Sequence, residues 1–146
     1  MRITVDGRPP AQVPADALIV PVYEGIKPSD FGAADWFDAG EITGKSGEIT
    51  LLHGPQGAAA SRVVFAGAGK PEKADPNSLR KVAGTAVRYL KSRSIRSVAI
   101  VVEGGDDFAA AAVEGVVLGN FDPDQHRTHN DRKSVESLTV VTQASE

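Results

Sequence analysis

The sequence predicts an α/β layered domain with a mixed central sheet and helices on both of its faces. Residues 17–22, an unbroken apolar run, and 97–102, apolar after Ser97, read as buried strands. Between them lies a long stretch whose apolar residues recur at helical spacing. Strands therefore alternate with helices, the pattern of a layered sheet. The early strands are joined by short non-helical connections, so some of them are expected to be antiparallel.

Residues 3–5 read as a first short strand, followed by the turn at Asp6-Gly7. The run 17–22 is the second. Ser29 and Asp30 are placed to cap a short helix that carries Phe31, Trp36 and Phe37 and ends near Gly40. Strands follow at 50–52 and 62–66, separated by the Gly/Pro-rich connection His53-Gly54-Pro55-Gln56-Gly57. The clearest helix runs from Pro76 to about Ser92. Asp75 suits its N-cap and proline suits the first helical position. Leu79, Val82, Ala83, Ala86, Val87 and Leu90 form its apolar stripe, and Arg80, Lys81, Arg88 and Lys91 fall on a separate arc. After the strand at 97–102, Asp106 or Asp107 can cap a second helix from Phe108 to about Leu118, stopped by Gly119. Glu114 is the one charge inside it, so cover on more than one side is expected. Residues 121–135 are polar and read as a long loop, and 138–141 as a last strand.

At 146 residues the chain fits one domain with a proper core. A net charge of -3 and a pI near 5.6 argue against nucleic acid as the main partner, because phosphate binding needs clustered cations. With no cysteine there is no disulfide frame, thiolate metal site or cysteine nucleophile. No apolar run reaches membrane-spanning length, and the N-terminus lacks the apolar core of a signal peptide. The default location is the cytoplasm, without a membrane partner.

Two segments resemble nucleotide loops. Residues 40–46 approach the P-loop pattern, but its first glycine would fall on Ala39, and a strand follows where a helix is needed to cradle phosphate. Gly67-Ala68-Gly69-Lys70 follows a strand, but it lacks the third glycine of the dinucleotide fingerprint. It reads as a turn in which glycine permits positive φ and Lys70 is exposed. Gly67, Gly69 and Lys70 remain the candidate ligand turn, since open α/β sheets place ligands at strand ends. His126 and His129, with Asp122, Asp124 and Asp131, could hold a metal. A solvated loop is the better reading, because the segment carries no helical apolar pattern to make a rigid scaffold. His53 stands alone. Asp106-Asp107 is explained by helix capping. No nucleophile elbow and no His-Glu-x-x-His motif is present.

Several features recur in one order: Gly44-Lys45-x-Gly47 before a strand; Arg62-Val63-Val64-Phe65-Ala66-Gly67-Ala68-Gly69-Lys70; Leu79-Arg80-Lys81-x-Ala83-Gly84 on a helix; and Val113-Glu114-Gly115-x-x-Leu118-Gly119-x-Phe121. In this they resemble the N-terminal domain of the leucine aminopeptidase (cytosol aminopeptidase) family over about residues 1–142. The resemblance implies a macro-domain-like three-layer α/β/α fold with a mixed central sheet, with residues 143–146 starting a linker to a catalytic domain. It implies two divalent metal ions, zinc or manganese, in that catalytic domain. A signature resembling Asn-Thr-Asp-Ala-Glu-Gly-Arg marks the catalytic domain and is not found here, so no catalytic or metal-binding residue carries over. The segment after Phe121, Asp122-Pro123-Asp124-Gln125-His126-Arg127, departs from the family pattern. The implied role is non-catalytic: helping a hexamer assemble and limiting access to the active site. The implied partners are the chain's own C-terminal catalytic domain and homo-oligomer neighbours. Trp36, Phe37 and Phe121 are the interface candidates, because large exposed aromatics favour interfaces. Two alternatives stand beside this: a macro-like module binding an ADP-ribose type ligand at the Gly67 turn, and DNA binding through Arg80, Arg88, Lys91, Arg93 and Arg96.

Overall fold

The computed structural model describes residues 1–29, 31–91, 93, 95–121 and 135–142. The chain runs β1 (Arg2–Asp6), a 3-10 turn at Pro10–Gln12, β2 (Ala17–Tyr23), α1 (Ala33–Asp38), β3 (Ile49–His53) and β4 (Arg62–Gly69). It continues through a 3-10 turn at Pro71–Lys73, α2 (Pro76–Lys91), β5 (Ser97–Val101), α3 (Asp106–Asn120) and β6 (Ser137–Val141). The strands form one six-stranded sheet in the order β1-β6-β5-β2-β4-β3. All neighbours are parallel except β3, which pairs antiparallel with β4. The short Gly/Pro-rich connection explains the exception, since a hairpin cannot return a parallel strand.

Side-chain alternation along the central strands gives each sheet face its own core. Ile19, Val64, Ile100, Leu138 and Val140 point to one face and pack under Leu79, Val87 and Leu90 of α2 and Ala112 and Val116 of α3. Leu18, Val63, Phe65 and Val141 point to the other, beneath Val13, Ala33, Ile42 and Ala60. The sheet is thus the middle of three layers, as expected. The layer opposite α2 and α3 is thin, built from α1 and connecting segments. Phe65, Leu18 and Ile19 are almost fully buried, and each such side chain contributes about 1.5–3 kcal/mol.

The α2 helix matches its sequence signals. Asp75 Oδ1 accepts from the Ser78 N–H at 2.8 Å, and Asp75 N–H donates to Ser78 Oγ at 3.1 Å, a reciprocal cap. Its buried residues are the expected stripe with Gly84 added.

Several expectations are corrected. Helix α1 begins at Ala33 with Gly32 (φ 77) at its N-cap and no side-chain cap, so Ser29 does not serve there. Phe31 sits before the helix, at φ 59, while the end near Gly40 is as expected. Asp30 and Ser92 lie outside the described residues, as do 122–134 of the expected loop and 143–146. Strand β4 continues to Gly69, so Gly67 and Gly69 are strand residues and not a turn. Helix α3 starts at Asp106 after Gly105 and runs through Gly119 to Asn120. Asp106 and Asp107 therefore occupy its first turn, where negative charge suits the helix dipole. Gly119 is a packing residue, not a stop. As expected, α3 is covered on more than one side, by α2 at Gly115 and Gly119 and by the sheet core at Ala112 and Val116, while Val117 and Leu118 are 45% and 64% exposed.

Candidate functional site

The two segments that look like nucleotide loops are folded against each other. Gly69 N–H donates to the Gly44 carbonyl at 2.8 Å, and Gly67 N–H donates to the Glu48 carbonyl at 2.7 Å. Glu24 N–H donates to the Gly69 carbonyl at 3.0 Å, which ties the end of β2 into the same junction. A Cβ on Gly67 would overlap the Lys45 carbonyl oxygen, and one on Gly44 would lie 2.6 Å from the Tyr23 carbonyl carbon. Both glycines are there because another backbone occupies the side-chain position.

Residues 43–48 are closed by one carboxylate. Glu48 Oε1 accepts from Thr43 N–H at 2.8 Å and Gly44 N–H at 3.0 Å, and Oε2 accepts from Thr43 Oγ1 at 2.7 Å. Burial alone would raise the pKa of Glu48. The bonds from Thr43 and Gly44, with the charge of Lys45, outweigh it and hold the carboxyl below its ordinary range. The loop is therefore fastened by its own acid, with the amides of Thr43 and Gly44 spent on Glu48. Lys70 is exposed at the entrance of the following 3-10 turn.

The nearby strand ends are acidic. The half-buried phenol of Tyr23 has its pKa pushed up, first by burial and then by the charges of Glu103 and Asp75. Asp106 and Asp107 occupy the first turn of α3, where an anion would otherwise profit from helix amides. An anionic ligand entering at this end meets carboxylates. At the other end a shallow cleft of about 360 Å³ is lined by Arg2, Asp16, Arg96, Ser97, Glu136 and Ser137. Its polar groups serve the fold: Asp16 Oδ2 accepts from the Arg96 and Ser97 N–H groups, and Arg96 pairs with Glu136.

Three cations of the α2 region are also engaged. Arg80 bridges to Glu114 on α3 at 2.7 Å. Lys91 Nζ donates to the carbonyls of Asn120 and Phe121 at the end of α3. Arg93 stacks over the Tyr89 ring at 3.8 Å and donates to the Tyr89 carbonyl. Arg88 is exposed beside Gly84.

Trp36 is 42% exposed and Phe121 61%, while Phe37 is half-buried. Trp36 lies on the thin layer; Phe121 follows α3 on the opposite layer. The structure does not bring them into one patch. Sequence reasoning missed Ile3 and Val5 of β1, 43% and 70% exposed, and Val117 and Leu118 of α3. The near-absence of charge in α3 was the available signal. The described residues hold no group of three or more His, Asp or Glu side chains able to bind a metal. These residues do not fit a two-metal centre. His126, His129, Asp122, Asp124 and Asp131 lie outside the described residues. His53 is exposed opposite Arg62 at the edge of the sheet. No helix among the described residues is long and apolar enough to cross a membrane.

Residues 33–130 match the family model described as "Cytosol aminopeptidase family, N-terminal domain". The chain is 46% identical over 144 residues to a probable cytosol aminopeptidase of Solibacter usitatus (strain Ellin6076), covering 97% of this chain and 30% of that protein. It therefore spans about a third of the length of such relatives. Among solved structures, a mutant tomato leucine aminopeptidase superposes over the whole chain and 33% of its own, with a TM-score of 0.74 at 19% identity. The macrodomain of Mycobacterium tuberculosis DarG superposes over 95% of this chain and 97% of its own, with a TM-score of 0.59 at 14% identity. At those identities the two structures speak for the fold alone.

Proposed function

The chain belongs to the cytosol aminopeptidase family as its N-terminal domain, and from that premise we propose that its own role is non-catalytic. It aids assembly of a hexamer and limits access to an active site built by a C-terminal catalytic domain. The whole enzyme is a cytoplasmic exopeptidase that releases N-terminal amino acids with two divalent metal ions, zinc or manganese. Those ions would activate water and stabilise the oxyanion of the tetrahedral intermediate.

One observation carries this reading: the chain itself covers both faces of the central strands β2, β4, β5 and β6, yet large apolar side chains remain in solvent. Trp36 and Phe121 on opposite layers, with Leu118 beside the end of α3, are exposed. Aromatic side chains left in solvent by a finished core mark surfaces made for protein contact.

Two measurements test it. The 146-residue chain, supplied with manganese or zinc, should release no p-nitroaniline from leucine p-nitroanilide; turnover by the chain alone would sink the reading. In the full-length enzyme carrying this domain, Trp36→Ser and Phe121→Ser should each lower the hexamer fraction in sedimentation velocity. A hexamer indifferent to both removes the assembly role.

A further inference from the structure

Among the described residues the β1 edge of the sheet is unpaired, and it is self-complementary. β1 pairs with β6 on one side, and no described strand lies on the other. In a parallel ladder alternate residues bond to the neighbour. Arg2 N–H donates to the Glu136 carbonyl and Thr142 N–H to the Asp6 carbonyl, so residues 2, 4 and 6 face β6. The N–H and C=O groups of Ile3 and Val5 consequently point outward along the free edge.

The side chains of β1 are as open as its backbone. Ile3 is in register with Leu138 and Val5 with Val140, which places both on the α2/α3 face. Gly115 and Gly119 turn one flank of α3 toward α2; Val117, about 200° around the helix from Gly115, faces the opposite flank. That flank lies toward β1, because the sheet order carries β1 beyond β6. Ile3, Val5 and Val117, exposed by 43%, 70% and 45%, are therefore apolar groups left open on this side of the sheet. Exposed apolar edge strands are templates for pairing.

We propose that a second copy of this chain pairs antiparallel along β1, centred on Thr4, so that the two sheets become one. The register satisfies three conditions together. Ile3 stands opposite Val5 of the second copy, and both present outward N–H and C=O groups, so each such pair exchanges two hydrogen bonds. Directly opposed residues share a face, so Ile3 and Val5 of both copies join in one apolar cluster beside Val117 of each α3. Arg2 of each copy then stands opposite Asp6 of the other, on the far face. Asp6 is held by Arg8 at 2.6 Å, and that bond lowers its pKa to about 2, so the carboxylate is charged where Arg2 meets it. A register shifted by two residues either way keeps the hydrogen-bond parity but loses the Arg2–Asp6 match. The other edge, β3, has Ile49 and Leu51 packed against the core and offers no such surface.

Cysteine scanning tests the register, because the chain has no cysteine of its own. At the axis the two Thr4 residues form a non-hydrogen-bonded pair with Cα atoms about 4.5 Å apart, inside disulfide range. Two copies of Ile3 lie roughly 8 Å apart on the diagonal, outside it. Thr4→Cys should cross-link to a dimer on mild oxidation, and Ile3→Cys should give at least ten-fold less. Unmodified chain should rise with concentration from 15.3 kDa toward twice that mass in sedimentation equilibrium. Val5→Lys, at an exposed position that leaves the fold intact, should stay at the lower mass. The proposal is overturned by a constant 15.3 kDa up to about 500 µM, a concentration that populates even weak pairs. Equal cross-linking at positions 3 and 4, or a dimer that survives Val5→Lys, overturns it as well.

Discussion

A Cβ on Gly119 would lie 2.6 Å from the carbonyl oxygen of Gly84, so α3 rests directly on the backbone of α2. Gly115, one turn earlier, has the same relation to the Arg80 carbonyl, and its Cβ would lie 2.9 Å from that of Ala83. The two helices are held at this short separation by glycines rather than interleaved side chains. Alanine normally improves a helix interior by up to about 1 kcal/mol over glycine. Here the added methyl meets backbone that cannot move aside, so the sign reverses. Gly119→Ala should destabilise the domain by about 1–3 kcal/mol, seen as a lower urea midpoint with an unchanged slope. An unchanged or higher midpoint would mean the helices can separate freely.

Gly67 tests the junction of the two glycine segments. Its backbone is ordinary extended strand, so only space is at issue, and that space is filled by the Lys45 carbonyl. Gly67→Ala should cost at least about 3 kcal/mol, more than Gly119→Ala, and should expose residues 43–48 to proteolysis. Glycine at Gly47, where a Cβ meets nothing within 4 Å but φ is 91, fails differently. Alanine there brings only conformational strain of about 1 kcal/mol. If Gly67→Ala and Gly47→Ala cost the same, the close packing is not what fixes Gly67.

These glycines show where the sequence was legible. Helix α2 could be read almost residue by residue, because its cap, its first-turn proline and its one-sided stripe are local signals. The central strands were equally plain as apolar runs. Glycine was not legible. The same residue marks a turn, a helix end or a close approach of two backbones, and only the third partner tells them apart. Lys45 settles Gly67 and Gly84 settles Gly119, and neither contact is local in sequence. The placement of β1 beside β6 was invisible for the same reason, since it joins residues about 135 apart. Of the surface residues, Trp36 and Phe121 could be chosen by type, but Val5 could not. Half of a strand's side chains face outward, and the alternation does not say which face has been covered.

Acid should loosen the Glu48 loop. The folded state holds the pKa of Glu48 below its ordinary value of 4.5, so the ionised form is the one the fold prefers. Its contribution is complete above pH 4.5 and is lost as pH falls through the depressed value. Asp6, held by Arg8 at about 2 against an ordinary 3.8, adds a loss in the same direction at lower pH. Glu48→Gln keeps the shape but weakens bonds to a charged acceptor, which in this partly exposed setting costs roughly 1 kcal/mol at pH 7. Stability of Glu48→Gln should fall less steeply than that of the unmodified chain between pH 5 and 3, on the order of the window set by that carboxyl. Parallel pH profiles would show that the loop does not depend on the charge.

The likeness to a macrodomain stops at the fold, and a titration with ADP-ribose tests that separation. A pyrophosphate needs free amides or cations at the strand ends. In this chain the amides of Thr43 and Gly44 are bonded to Glu48, the Gly67 N–H is bonded to the Glu48 carbonyl, and Glu103 and Asp75 stand near Tyr23. Like charges at that entrance raise the cost of bringing in a dianion, and releasing the loop amides would break its clamp. Calorimetry should give no saturable heat up to about 1 mM ADP-ribose, a ceiling of about -4 kcal/mol on any binding. Glu48→Gln together with Glu103→Gln removes two of the opposing charges. Binding that emerged only in that double variant would identify the carboxylates as the barrier. Binding to the unmodified chain would return Gly67, Gly69 and Lys70 to the position of a ligand site.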